Sequence, residues 1–187
     1  MNALSALQDL PDREKASRGL MHTPAEIAQQ PATWWSTFEL FQLRQKEIAQ
    51  FISGAGVGNN SDAAPTVLLI GAGTSDYIGL CLTHLLRKCW HCEVVAVPST
   101  DLLTHMDDWI IPGREYLWIS FSRSGDSPEG VAVLAQARKK YPHIRHFIVS
   151  CNAQGRMIRE SSGDRRTMAV VLDDAVNDRG LAMTSSF

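Results

Sequence analysis

Two short segments carry residue types suited to gripping an oxyanion. One is Ser122-Arg123-Ser124-Gly125-Asp126-Ser127-Pro128, and the other is Gly71-Ala72-Gly73-Thr74-Ser75. Each follows a short apolar run and precedes a helical pattern, so each reads as a strand-to-helix loop. A helix start presents unpaired N–H groups and about half a positive charge. Glycine lets the backbone approach an anion closely, and neighbouring N–H groups form a nest. Serine and threonine hydroxyls add donors without adding charge, which suits reversible binding of a phosphate monoester. Arg123 can add a charge-assisted contact. The plainer readings are a tight turn for the first loop and, for the second, a helix capped by Ser127 with Pro128 at its first position. Three serines, a glycine and an arginine within six residues exceed what capping needs.

Other phosphate and nucleophile motifs fit less well. A dinucleotide fingerprint needs G-x-G-x-x-G. Gly71 and Gly73 match, but Asp76 stands at the third position, where a carboxylate would face a pyrophosphate. A nucleophile elbow needs G-x-S-x-G; Tyr77 replaces its last glycine around Ser75, and Ser122 replaces its first around Ser124. A Walker A lysine is absent. Cys89 and Cys92 form a C-x-x-C, but no second cysteine or histidine pair completes a zinc site. They read as plain thiols at a helix-to-strand junction.

These loops need a scaffold, and the alternation around them supplies one. Apolar runs at 67–70, 93–97, 116–121, 146–151 and 168–172 read as five strands. Helical patterns over 76–88 and 128–140, and a short one over 154–160, lie between them. Strand–helix alternation predicts an α/β fold: a three-layer αβα sandwich on a five-stranded parallel sheet, Rossmann-like in construction. Ligands in such folds bind at the carboxyl ends of the strands, where both loops sit.

Upstream, residues 1–53 read as a helical extension. Thr23-Pro24-Ala25-Glu26 is a helix-start signal, and Pro31 is expected to end that short helix. A longer helix starts at Thr33, with Trp34, Phe38, Phe41, Ile48 and Ile52 on one packing stripe interrupted by Gln45. Residues 54–65 read as a flexible linker before the domain at 66–187.

Composition narrows the function. The 187 residues are 44% hydrophobic and 20% charged, as in ordinary globular domains. A net charge of −2 argues against a nucleic-acid or anionic-membrane partner. No apolar run approaches the roughly 18 residues of a membrane span. The absence of a signal-peptide pattern and four scattered cysteines point to a reducing cytoplasm.

GAGTS after one strand and S-x-S-G-x-S after another resemble the sugar isomerase (SIS) domain. The ordered set EIAQQP (26–31), IGAGTSDYIG (70–79), STDLL (99–103), SFSRSGDSPEGV (120–131) and NDRGLAMTSSF (177–187) resembles the tagatose-6-phosphate ketose/aldose isomerase family, also described as galactosamine-6-phosphate deaminase/isomerase. The resemblance implies a sugar-phosphate site made by Gly73, Thr74 and Ser75 with Ser122, Arg123, Ser124 and Ser127. It also implies a closing loop at Gly180, Leu181 and Ala182, with Asp178 and Arg179 as weaker neighbours whose plainer role is a surface salt pair. Glutamine stands at the position of Arg123 in the related glucosamine-6-phosphate synthase, so Arg123 favours the tagatose/galactosamine branch.

That family joins two SIS domains, and its catalytic carboxylate and ring-opening histidine lie in the second. The chain therefore resembles the N-terminal half, is expected to lack a final helix, and carries no assigned catalytic residue. The resemblance implies aldose–ketose isomerisation, deamination of a hexosamine 6-phosphate, or both, without metal or nucleotide cofactor, in a homodimer. The alternative is a sugar-phosphate-sensing SIS module of a regulator.

Overall fold

A computed structural model describes residues 2–58 and 64–187 of the chain. Five parallel strands form one sheet: β1 Thr66–Gly71, β2 Val94–Pro98, β3 Tyr116–Ser122, β4 Arg145–Ser150 and β5 Thr167–Val171, in the order β2-β1-β3-β4-β5. All four pairings are parallel. The strands are apolar in both phases of their alternation because helices cover both faces.

The helices are α1 Ala3–Gln8, α2 Asp12–Ser17, α3 Thr23–Gly54, α4 Thr74–Trp90, α5 Ser99–Trp109, α6 Pro128–Lys140 and α7 Arg156–Arg159. On one face Ile48 of α3 and Leu82 and Leu86 of α4 pack against Val67, Leu69, Val94, Leu117 and Ile119. On the other, Leu102 and Met106 of α5 and Val133 and Ala137 of α6 pack against Leu68, Ile70, Tyr116 and Trp118. The three-layer αβα architecture is therefore the one expected. The helix α5 is an addition: the sequence reading left 99–109 without an element beyond its STDLL motif. Its pattern is weak because only Ser99, Leu102 and Met106 are buried and the backbone breaks at His105.

One upstream expectation needs correction, and another is met only in part. Pro31 does not end a helix; α3 runs through it as one 32-residue helix. Proline removes a backbone hydrogen bond and crowds the preceding turn. Contacts on both sides of Pro31 hold the axis: Glu26, Gln29 and Gln30 bond the C-terminal tail, and Arg44 donates to the Ala169 carbonyl on β5 at 2.9 Å. The aromatic stripe is also not packed within the chain. Trp34 is 61% exposed, and Phe38 and Phe41 are nearly half exposed. Ile48 and Ile52, from the later part of that stripe, face the sheet together with Leu40 and Phe51. The second half of α3 thus belongs to the sheet's own packing. Of the expected linker, residues 59–63 lie outside the described residues, and Val57 just before them is buried in the core.

At the opposite end of β4 from the loops, His146 is 1% exposed and lies edge-on to Trp118, ring centroids 5.6 Å apart. Neither ring nitrogen has a hydrogen-bond partner among the described residues. Burial, reinforced by the Arg138 charge and opposed by Asp164, pushes the imidazole down to about 4.

Candidate functional site

Both loops leave the carboxyl ends of adjacent central strands. The Gly71–Ser75 loop leaves β1 into α4, and the Ser122–Pro128 loop leaves β3 into α6. The β1 connection returns over one face of the sheet and the β3 connection over the other. This reversal opens a crevice between the strands, the usual ligand position in open α/β sheets. The crevice narrows to a cleft of about 10 Å³ bordered by Gly71, Ala72, Ser99, Ser120, Ser122 and Ser127. Among the residues lining that cleft there is no carboxylate and no histidine.

The first loop is fixed by close backbone approach. A Cβ on Gly71 would lie 2.4 Å from the Ser75 carbonyl carbon and 2.5 Å from the Asp76 nitrogen. Gly73 adopts φ 57°, ψ −127°, a region that favours glycine. The first turn of α4 has no side-chain cap; the Ser75 and Asp76 N–H groups donate to the Ala72 and Gly73 carbonyls at 3.2 and 3.0 Å, which closes the loop onto the helix start. Ser75 is buried at 7% exposure beneath this turn. Burial and the neighbouring Asp101 charge raise the Asp76 carboxyl above the usual range.

The serine loop is braced from behind. The Arg123 carbonyl accepts from the Cys151 N–H at 3.1 Å, and the Gly125 carbonyl from the Met157 N–H at 2.9 Å. The Ser124 carbonyl accepts from Asn152 Nδ2 at 2.9 Å. Gly125 has φ 63° and lies against Gly155, where an added Cβ would come within 2.7 Å of the Gly125 Cα. Ser122 Oγ accepts the Gly125 N–H at 3.1 Å, and Ser124 Oγ accepts the Asp126 N–H at 3.2 Å. Both hydroxyls are therefore oriented as acceptors within the loop while their own protons remain free to donate. Ser127 occupies the N-cap position of α6 but makes no capping bond. Asp126 accepts from the Arg156 N–H at 2.8 Å and so holds α7.

The structure brings Ser122 and Ser127 together on the cleft with the first loop, and places Gly73, Thr74, Ser75 and Ser124 on the same two turns. Arg123 is used differently from the sequence expectation. Its guanidinium donates to the Asp178 carbonyl and ties the serine loop to the tail. Gly180, Leu181 and Ala182 are not beside the cleft residues. The Gly180 N–H donates to Glu26 Oε1 at 2.9 Å, and Leu181 projects fully into solvent. Asp178 is 4% exposed and is no surface salt pair: its Oδ2 accepts the N–H groups of Thr184, Ser185 and Ser186 and the Ser186 hydroxyl. Sequence reasoning missed Ser99 and Ser120. Ser120 carried a signal, because it stands two residues before Ser122 in an otherwise apolar strand. Cys89 is exposed, Cys92 is buried, and burial raises the Cys92 thiol.

A larger groove of about 890 Å³ lies between α3 and β5, bordered by Arg44, Phe51, Arg159 and Met168. It holds none of the loop hydroxyls and borders neither end of β1 or β3, so the chemistry points to the smaller cleft.

This sheet with these loops is an α/β domain of the SIS type. No family model matches the chain. A Streptomyces coelicolor protein provisionally named D-galactosamine-6-phosphate deaminase AgaS is 37% identical over 167 residues, covering 89% of this chain and 42% of that protein. The D-galactosamine-6-phosphate deaminase AgaS of Escherichia coli O157:H7 is 33% identical over 164 residues, covering 88% and 42%. The crystal structure of tagatose-6-phosphate ketose/aldose isomerase from Escherichia coli matches with a TM-score of 0.79 at 32% identity, over 87% of this chain and 43% of that one. The chain is thus a half-length SIS-type relative of these sugar-phosphate deaminases and isomerases, and spans less than half of their length.

Proposed function

We propose that the chain is the phosphate-gripping half of a sugar-phosphate isomerase or hexosamine-6-phosphate deaminase, with galactosamine 6-phosphate and tagatose 6-phosphate as candidate substrates. One observation carries this reading. Two loops rich in glycine and hydroxyls, each opening a helix without a side-chain cap, converge at the reversal point of the sheet. Thr74, Ser75, Ser122, Ser124 and Ser127 would donate to the phosphate oxygens, with the two helix starts supplying N–H groups and positive potential. Gly180, Leu181 and Ala182 remain candidates for the sugar side once a ligand is bound.

Isomerisation moves a proton between adjacent carbons and needs a positioned base; deamination expels ammonia from C2. The cleft lining offers no base. The base and the ring-opening group are therefore assigned outside these residues, and the loops serve to anchor the substrate. The exposed face of Trp34, Phe38 and Phe41 is the surface we assign to self-association.

Calorimetric titration tests the anchoring role. Galactosamine 6-phosphate and tagatose 6-phosphate should bind, and unphosphorylated galactosamine should not. Ser124→Ala should weaken binding by about tenfold, the loss of one charge-assisted hydrogen bond. Equal binding of the phosphorylated and unphosphorylated sugars would count against the clamp.

A further inference from the structure

We infer that Ser99 and Ser120 form a lower tier of hydroxyls that holds one buried water beneath the serine loop and, through it, turns the Ser127 hydroxyl toward a bound phosphate group beside the Ser122 hydroxyl. The inference rests on the phosphate-binding reading of that loop. Ser99 is the first residue of α5 and is 2% exposed. Its Oγ is buried without a hydrogen-bond partner among the described residues. A buried hydroxyl left without a partner is destabilising, and such groups are normally satisfied by protein or by ordered water.

The surroundings say which. Ser99 borders a cavity of about 10 Å³, the room that a single water needs. Ser120, Ser122 and Ser127 border the same cavity. Ser120 and Ser122 share one face of β3 with Tyr116 and Trp118, because side chains alternate along a strand. That stripe is apolar at Tyr116 and Trp118, which join the core on the α5 and α6 side. It turns to hydroxyls only at its last two positions, where it meets the cavity. A water there has the two to four polar partners that a stable buried site requires.

The direction of the hydrogen bonds follows from what each oxygen already does. Ser122 Oγ accepts the Gly125 N–H, so its proton is free to point outward. Ser127 makes no capping bond, so its oxygen is free to accept. Ser99 and Ser120 donate to the water, and the water donates to Ser127 Oγ. The Ser127 proton then points away from the cavity, toward the uncapped first turn of α6. Each link polarises the next. Both upper hydroxyls become donors, which is what an anion demands.

The test uses the whole chain with inorganic phosphate and galactosamine 6-phosphate as probes. Ser99→Ala and Ser120→Ala should each raise the Kd by about three- to tenfold, the range expected for losing one water-mediated link. Their melting temperatures should stay within about 2 °C of the parent, because the Ser99 oxygen makes no hydrogen bond to the described residues for the substitution to break. Ser99→Thr, which keeps the hydroxyl, should restore affinity. A high-resolution crystal structure should show a water within hydrogen-bond distance of both Ser99 Oγ and Ser127 Oγ. Unchanged affinity in both alanine variants, a dry cavity, or an affinity loss matched by a large fall in melting temperature would overturn the proposal. Failure of the parent chain to bind either probe would overturn the phosphate reading itself, and the lower tier with it, before any substitution is made.

Discussion

Gly71→Ala is expected to lower the melting temperature by about 10 °C, the equivalent of about 3 kcal/mol in a chain of this size. The added methyl would lie 2.4 Å from the carbonyl carbon and oxygen of Ser75 and 2.5 Å from the Asp76 nitrogen. These are backbone atoms of the first turn of α4, so no side chain can swing aside. Either the helix start lifts from the end of β1 or the strand end bends, and both moves displace Ser75. Gly73→Ala is the informative control. Its Cβ would meet nothing within 4 Å, but the backbone has φ 57°. Strain alone should cost less there, of the order of 1–2 kcal/mol. A thermal melt of the two variants checks the difference. A Gly71→Ala protein melting within 2 °C or so of the parent would mean that the loop relaxes freely and is no rigid cradle.

The second large effect is in pH. His146 is buried as a neutral ring with no partner for either nitrogen among the described residues, and its pKa is pushed down from 6.5 to about 4. The unfolded chain takes up this proton near pH 6.5, whereas the folded chain does so only near pH 4. Between those values the unfolded state binds more protons, so stability falls as pH falls. The full difference is about 3 kcal/mol, present above pH 6.5 and lost by pH 4. His146→Phe keeps a flat ring beside Trp118 and removes the titration. Melting curves from pH 7 to 4.5 should show the parent losing stability faster than His146→Phe, so that the parent falls further relative to the variant as pH drops. Parallel curves for the two proteins would show that the ring gains a partner on protonation. Other carboxylates and histidines contribute equally to both proteins, so the difference isolates one residue.

Which features could be read from the sequence follows from how local they are. The five strands showed as continuous apolar runs because both faces of the sheet are covered. The two loops showed because glycine and hydroxyl residues cluster where a strand hands over to a helix. Long-range contacts left weaker traces. Pro31 reads as a helix stop by local chemistry, and the bonds that carry α3 past it come from residues nearly 150 positions away, at Ala175 and Thr184. The stripe from Trp34 to Ile52 has the spacing of one buried face, yet only Ile48 and Ile52 of it reach the sheet, with Leu40 and Phe51, while Trp34, Phe38 and Phe41 stay exposed. Arg123 has the right chemistry for an anion, but a carbonyl of the tail takes its guanidinium. By local sequence Asp178 reads as a surface charge and Glu26 as a helix-start residue. Both are buried acceptors: Glu26 pins the tail to α3 and Asp178 folds the tail onto itself, roles that depend on backbone N–H groups and so carry no side-chain signature.

The most direct test of the phosphate clamp is an amide chemical-shift map of the chain titrated with galactosamine 6-phosphate. The account predicts that the largest perturbations fall on Thr74 and Ser75 in the first loop and on Ser124, Gly125, Ser127 and Gly130 in the second, with the face of Trp34 and Phe38 unmoved. Perturbations centred on the groove bordered by Arg44, Phe51 and Arg159, with the two loops silent, would contradict it.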